Sequence, residues 1–330
     1  VPTGLVHIDA ALTNLSLSYL DQGENAKNII REILPPFPSP KQSDVVWKYG
    51  QEIFVSEDDA RAAGAEAKDS TWKLSTVNFR CNGHALRDKI SRENENNADP
   101  ALNLLADSTA VLTQKSSLSE EVAGAALIAS QMAAAGYAQD QANQPWNSPD
   151  FDPYSYLKAQ IDAIALQGGI APNSLAISKP VWTAIRTNRN VVGLITGAPQ
   201  VTNARVSVEQ FAELLELDNL FVGGRVYATA LGAAKSFIWG QKAMLFHRPP
   251  NPGLRTPALG YTPVWTNALA AVAGLEKVPG MDGQGDAFVQ QYFWEPEVSD
   301  YVVVHRYYDQ EIWMPELGAL YTGCLGTAGA

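Results

Sequence analysis

Apolar and polar side chains alternate along two runs near the start of the chain, residues 44–55 (DVVWKYGQEIFV) and 71–80 (TWKLSTVNFR). Alternation of this kind predicts strands. The polar, alanine-rich insert between them, residues 56–70, makes the runs two arms of one hairpin. At roughly 3.3 Å per residue each arm would be about 30–40 Å long, more than a typical core strand. An isolated two-stranded ribbon is marginal in water, because neither face has a layer to pack on. This one carries Trp47, Tyr49, Ile53, Phe54, Trp72, Leu74, Val77 and Phe79. Either the ribbon projects and neighbouring molecules cover those side chains, or it folds back onto its own domain. In the projecting case the candidate assembly contacts are Trp47, Tyr49, Phe54, Trp72, Leu74 and Phe79.

Elsewhere the period changes. Residues 25–33 (NAKNIIREI) space Ile29, Ile30 and Ile33 as a short helix, which the prolines of 34–40 (LPPFPSP) break. Leu86 and Ile90 lie one helical turn apart in 85–92 (ALRDKISR), so a helix is expected there. Asp99 can cap a further helix begun by Pro100, with Leu102, Leu105, Ala106, Thr109 and Leu112 inward. The clearest helix covers 117–137. Ser117 and Glu120 match a capping box, and Leu118, Val122, Ala125, Ala126, Ala129, Met132 and Ala133 form a stripe at helical spacing, with Gly136 placed to end it. The polar link 139–149 (QDQANQPWNSP) is a candidate domain boundary.

Beyond it helices and strands alternate. Asp152 followed by Pro153 opens a helix that buries Leu157, Ile161 and Ile164 and stops at Gly168 and Gly169. A strand over 175–178, a helix from Pro180 with Trp182 and Ile185, and a helix over 208–217 capped by Ser207 and Gln210 follow. Residues 220–230 and 235–246 are expected strands, 248–263 and 278–286 loops, and 298–314 two strands turning at Asp309 and Gln310. A glycine-rich tail, 318–330, closes the chain, and no fixed-period repeat suggests a solenoid or propeller.

Length and composition narrow the reading. A chain of 330 residues, 46% hydrophobic and 18% charged, has the material for well-filled cores and about two domains of ordinary size. No apolar run reaches the ~18–20 residues that span a bilayer, and the first residues lack the basic stretch of a secretory signal. Two cysteines, Cys81 and Cys324, do not make a disulfide framework; a reducing compartment is expected, with one long-range bridge as the alternative. The net charge is −11 and lysine and arginine are scattered singly, which argues against tight, ordered contact with DNA or RNA.

Motifs that carry chemistry are missing. There is no phosphate loop, and 280–285 (GMDGQG) lacks the third glycine of a dinucleotide fingerprint. His7, His84, His247 and His305 are isolated in sequence, and His305 is expected as a hydrogen-bonded core or interface residue. No nucleophile elbow occurs. The acidic group Glu57, Asp58 and Asp59 is expected to be solvated, and Glu120 with Glu121 to sit in a first helical turn, where the dipole favours anions. Asp282 and Asp286 flank a turn without calcium-loop spacing. Trp239, Trp265, Trp294, Trp313, Tyr307 and Tyr308 are expected in cores or interfaces. The sequence thus nominates no catalytic, cofactor-binding or metal residues and points away from an enzyme.

The order of these elements resembles a tailed-bacteriophage major capsid protein, from about Pro36 to the end. Three stretches carry the resemblance: 61–86 (RAAGAEAKDSTWKLSTVNFRCNGHAL), the helix of 118–135 introduced by SEE, and 152–188 (DPYSYLKAQIDAIALQGGIAPNSLAISKPVWTAIRTN). It implies an α+β fold with an N-terminal arm (1–35), a long β-hairpin extended loop (36–82), a peripheral domain with a spine helix (83–149), an α/β axial domain (150–285), and strands returning to the peripheral domain before a tail (286–330). It implies a structural, non-catalytic subunit that self-assembles into pentamers and hexamers of an icosahedral shell around double-stranded DNA. The implied partners are further copies of the chain, scaffolding, portal and decoration proteins, and weak non-specific contact with packaged DNA, with no membrane and no cofactor. The implied location is the virion capsid, assembled in the host cytoplasm. Some relatives carry an N-terminal scaffolding segment that is cut off. With about 35 residues before the hairpin, such a segment would be already gone or replaced by a separate scaffold protein. Others crosslink a hairpin lysine to an asparagine; Lys48, Lys68 and Lys73 are read as ordinary surface lysines. An encapsulin-like compartment shell of the same fold, and an unrelated enzyme such as an α/β hydrolase, are the alternatives.

Overall fold

One long helix ties two sheets together in the computed structural model, which describes residues 7–8, 28–61, 63–64, 66–70, 72–97, 103–197, 205–253, 256–268 and 287–326. The strands are β1 (His7–Ile8), β2 (Pro36–Ser39), β3 (Ser43–Tyr49), β4 (Leu74–Arg80), β5 (Asn82–Ser91), β6 (Ala138–Asp140), β7 (Ser174–Ser178), β8 (Asn219–Gly223), β9 (Val226–Tyr227), β10 (Ser236–Phe237), β11 (Ala243–Phe246), β12 (Gly260–Trp265), β13 (Ala287–Trp294), β14 (Ser299–Tyr308), β15 (Glu311–Ile312) and β16 (Gly318–Thr322). The helices are α1 (Ile30–Ile33), α2 (Arg92–Asn97), α3 (Leu104–Ala134), α4 (Pro153–Gly168), α5 (Lys179–Ile185), α6 (Arg189–Thr196) and α7 (Val208–Leu214).

The larger sheet has seven strands centred on β14, which pairs antiparallel with β13 on one side and β5 on the other. β1 extends it beyond β13, and β12 joins at the end of β14 with β2 and β15 beside it. The smaller sheet runs β6-β16-β11-β7-β8. Its strands alternate between two cores. Leu175, Ile177, Leu245 and Tyr321 face the helices α4 to α7, while Ala176, Met244, Phe246 and Leu320 face α1 and the last turns of α3. A sheet covered on both faces needs apolar residues at successive positions, and β7, β11 and the start of β16 are buried throughout.

Helix α3 has 31 residues, about 46 Å at 1.5 Å each. Its first turns pack Leu104, Leu105 and Leu112 on Ile90, Val289, Val302 and Val304 of the seven-stranded sheet. Its last turns pack Ala125, Ile128 and Met132 on the five-stranded sheet. Asn103 caps it by accepting from the Ala106 N–H at 3.1 Å, and Gly136, at φ +81°, turns the chain out at its end.

Several expectations need correction. Residues 85–92 are not a helix but most of β5, whose residues pair with β14 from Asn82–Tyr308 to Ser91–Ser299. The spacing of Leu86 and Ile90 suits one face of a strand equally well, and ten residues of ladder outweigh local propensity. Helix α3 does not begin at Ser117; Ser117 and Glu120 lie mid-helix and buried, so the capping-box match is a coincidence of spacing. The expected strand 220–230 breaks at Gly224 and Arg225, and 235–246 divides into β10 and β11 around a turn at Gly240, φ +53°. Residues 260–263, expected in a loop, belong to β12, and the glycine-rich tail supplies β16. Gly318 suits that strand because a Cβ there would lie 3.0 Å from the Leu245 carbonyl oxygen. Both cysteines are free and buried. The helix start at Asp99 and Pro100 and the loops 278–286 and 280–285 lie outside the described residues.

Three further local signals hold, while residues 25–27 of the expected 25–33 helix lie outside the described residues. Asp152 caps α4 through the Tyr154 N–H at 3.1 Å, Gly169 ends it at φ +74°, and Ser207 with Gln210 forms the capping box of α7.

Candidate assembly surface

β3 and β4 form the ribbon, registered from Ser43–Arg80 to Tyr49–Leu74. Seven residues per arm make it about 23 Å long, shorter than expected. After Tyr49 the chain leaves the strand for a 3-10 turn, Gln51–Phe54. The pairing gives the ribbon two unlike faces. Val46, Val77 and Phe79 turn inward onto Phe37, Ala258, Tyr261 and Trp313. Lys48 follows them, pairing with Glu316 at 2.7 Å and donating to the Trp313 carbonyl at 3.2 Å; it is therefore a structural lysine, in correction of its reading as a surface one. The turn also touches its own chain: Gln51 Nε2 donates to the Gln167 carbonyl at 3.2 Å. The Phe54 ring lies where a Cβ of Gly169 would be, 2.1 Å from its Cζ.

The other face stays open. On it Trp47 is 62% exposed, Val45 47% and Leu74 43%, and just beyond the paired residues Trp72 is 57% and Phe54, beside Gly169, 55% exposed. The ribbon thus does both things left open above: one face folds back and one projects. Phe79 belongs to the inner face, 3% exposed. The backbone of Tyr49 is the last position of β3, but its side chain and that of Ile53 lie outside the described residues. The described residues of the insert are all exposed, with Lys68 on Asp58 at 2.6 Å.

Beneath the junction of the two sheets lies a buried charge cluster whose chemistry the sequence left unread. Glu120 of α3, 0% exposed, accepts from Asn28 Nδ2 at 2.8 Å, Arg31 Nε at 3.1 Å and Arg306 Nη2 at 2.8 Å. It thereby joins α1, α3 and β14 at one point. Glu121 accepts from Trp239 Nε1 at 3.1 Å and Arg225 Nη1 at 3.3 Å, and the same guanidinium donates to Ser117 Oγ at 2.9 Å. The carboxylate pair is legible in sequence, although it lies mid-helix and not in the first turn expected for it; its five partners, from four other segments, are not.

Burial raises the Glu121 pKa above the usual 4.5, opposed by the Trp239 and Arg225 hydrogen bonds. A raised folded-state value means that protonation favours the folded chain, so this group's contribution is fully present below about 4.5 and is lost as pH rises through the higher folded value. We expect the stability advantage of the wild-type subunit over Glu121→Gln to grow as pH falls from 7 toward 4.5. Urea unfolding of the unassembled subunit at a series of pH values measures this, and an advantage that shrinks on acidification would contradict it.

The histidines serve separate contacts. His84 stacks on Tyr308 at 4.3 Å, and His305 stacks on Phe288 at 4.9 Å and pairs with Gln290 at 3.0 Å. His247 lies 3.0 Å from the Ala171 carbonyl. Burial pushes the His84 and His305 pKa values down. Among the described residues no three of His, Cys, Asp and Glu gather as a metal ligand set, and no helix is long and apolar enough to cross a membrane.

No family model matches the sequence. Individual proteins do. The major capsid protein of Burkholderia phage BcepMu is 25% identical over 262 residues, 77% of this chain and 82% of the relative. That of Pseudomonas phage JBD67 is 25% identical over 250 residues, 73% of this chain and 77% of the relative. The chain is a relative of phage major capsid proteins and carries the tailed-phage capsid fold. Among solved structures, a phage-related protein from Bordetella bronchiseptica RB50 superposes with a TM-score of 0.71 at 20% identity, covering 98% of this chain and 99% of the other. A virus-like particle from Pyrococcus furiosus follows at 0.54 and 12% identity, covering 94% and 97%.

Within this capsid fold, the exposed ribbon residues Trp47, Phe54, Trp72 and Leu74 lie on or beside one projecting element. Surface features that escaped the sequence reading include Val45, which extends the ribbon's open face, Leu166 of α4, and the β9–β10 hairpin, whose tip Leu231 is bare. The run ATALGAA between two strand-like runs was the available signal for the last of these.

Proposed function

We propose that the chain is the major capsid protein of a tailed phage, a structural subunit that assembles as pentamers and hexamers into an icosahedral shell around double-stranded DNA. The observation that carries this reading is the open face of the ribbon, in a chain whose homologues are phage major capsid proteins. Large apolar side chains left in water on a two-stranded element are a standing cost, and burial recovers roughly 25 cal/mol per Å². In this reading residues 36–82 are the extended loop, 83–149 the peripheral domain, 150–285 the axial domain and 286–330 the returning strands. Trp47, Tyr49, Phe54, Trp72 and Leu74 are its assembly contacts; Phe79, first a candidate with them, is instead buried on the chain's own Phe37 and Tyr261 and anchors the ribbon to the body. The net charge of −11 suits a container that holds DNA loosely, since tight phosphate contact needs clustered cations. Scaffolding, portal and decoration proteins are the further partners, the virion capsid is its location, and assembly takes place in the host cytoplasm.

Electron microscopy and sedimentation of the purified chain across a concentration series test the proposal. Closed shells of uniform size are expected, and species that stay monomeric at every concentration would refute it. Recovery of shells from the native source filled with a protein cargo, without DNA, would favour the compartment-shell alternative.

A further inference from the structure

The hairpin β9–β10 is held by only two residue pairs, Tyr227–Ser236 and Val226–Phe237. Its loop, residues 228–235, is exposed throughout, and Leu231 reaches 107% exposure at the turn made by Gly232, φ +82°. The residues flanking Leu231 are alanine, threonine and glycine, so one bulky apolar side chain stands on a narrow, uncharged stalk, with no charge before Lys235. A bare leucine alone at a loop tip, on an element too short to be stable by itself, is a knob without a hole.

The same chain carries a hole without a knob. A cleft of about 200 Å³ opens between the ribbon and the body, walled by Val46, Trp47, Phe54, Ile170, Pro257 and Met314. Its cation, Lys48, is neutralised by Glu316 at 2.7 Å, so the walls ask for an apolar guest. Beside the cleft Glu52 lies in the turn, its Oε2 buried and without a hydrogen-bond partner among the described residues. Lys235, four residues from Leu231, makes no ion pair among the described residues. The two features are complementary in shape class and in charge. Leu231 is fully exposed on its own chain, so it does not fill its own cleft.

We propose that the Leu231 tip of one copy seats in the ribbon cleft of a neighbouring copy, with Lys235 reaching Glu52. The inference rests on the shell-subunit reading and specifies one of its contacts. Knob and hole lie on different surfaces, so the contact is head-to-tail, the kind that closes rings when the rotation between copies permits.

Paired cysteines test it on the full chain. Leu231→Cys with Phe54→Cys, assembled and mildly oxidised, should give a ladder of disulfide-linked oligomers on non-reducing gels, absent from either single variant. The native thiols give little background, since burial holds both Cys81 and Cys324 at about 12. Shells that form without a ladder overturn this contact and leave the shell reading standing. If the paired variant does not assemble, hydrogen exchange on wild-type shells decides. Slowing of both 228–235 and 46–54 by about tenfold or more against the unassembled subunit supports the contact, and an unchanged tip overturns it. A wild-type chain that forms no shell at all removes both.

Discussion

Replacing Glu120 with alanine should lower the unfolding free energy of the subunit by about 3–5 kcal/mol, the range for removing one partner of a buried ion pair. The carboxylate is wholly buried, and Arg306 beside it is 1% exposed. Deleting the anion leaves that guanidinium in the interior without the charge 2.8 Å away that compensates it. It also releases Asn28 and Arg31, polar contacts that supplement the apolar packing of α1 on α3. The cost arises from the orphaned cation and not from the net worth of the pair, which desolvation largely offsets. The double replacement Glu120→Leu with Arg306→Met should accordingly cost less than the sum of the singles. Urea denaturation of the unassembled subunit measures each of these variants. A loss below about 1 kcal/mol for the alanine variant would mean that water reaches the cluster.

The second large effect falls on assembly instead of folding. Trp47→Glu should leave subunit stability within about 0.5 kcal/mol of wild type, as expected for a residue far more exposed than buried, while abolishing shells. A large side chain buried at a contact gives roughly 1.5–3 kcal/mol, about 10- to 150-fold in an association constant. The loss recurs at every equivalent contact of the shell, and multivalency turns a modest local change into an all-or-none outcome. Sedimentation and electron microscopy report the shells and urea unfolding the subunit. Shells of wild-type yield from the variant would show that the open face of the ribbon is not an interface.

Much of the local structure was legible because it depends on neighbours in sequence. The cap at Asp152, the stop at Gly169, the capping box of Ser207 and Gln210, and the alternation in the two ribbon arms are each decided within a few residues. The failures share a cause as well. Residues 85–92 satisfy a helix and a strand equally until β14, some two hundred positions later, offers its ladder. Gly318 marks a loose tail until the Leu245 carbonyl oxygen, 3.0 Å from where a Cβ would stand, makes a side chain there tight. Ser117 and Glu120 resemble a helix start until Arg225, Arg31 and Arg306 converge on them.

By itself the sequence determined that this chain has a paired, aromatic-rich ribbon, an alanine-rich helix and an α/β region, and lacks the usual catalytic motifs, because periodicity and composition are properties of short windows. Only the tertiary structure decided which ribbon face is bare, that two glutamates are interior anchors of α3, and that a leucine tip and an apolar cleft stand unfilled on one molecule. Those depend on which distant segments exclude water from which side chains, and burial is a property of the packed chain, not of any stretch of it.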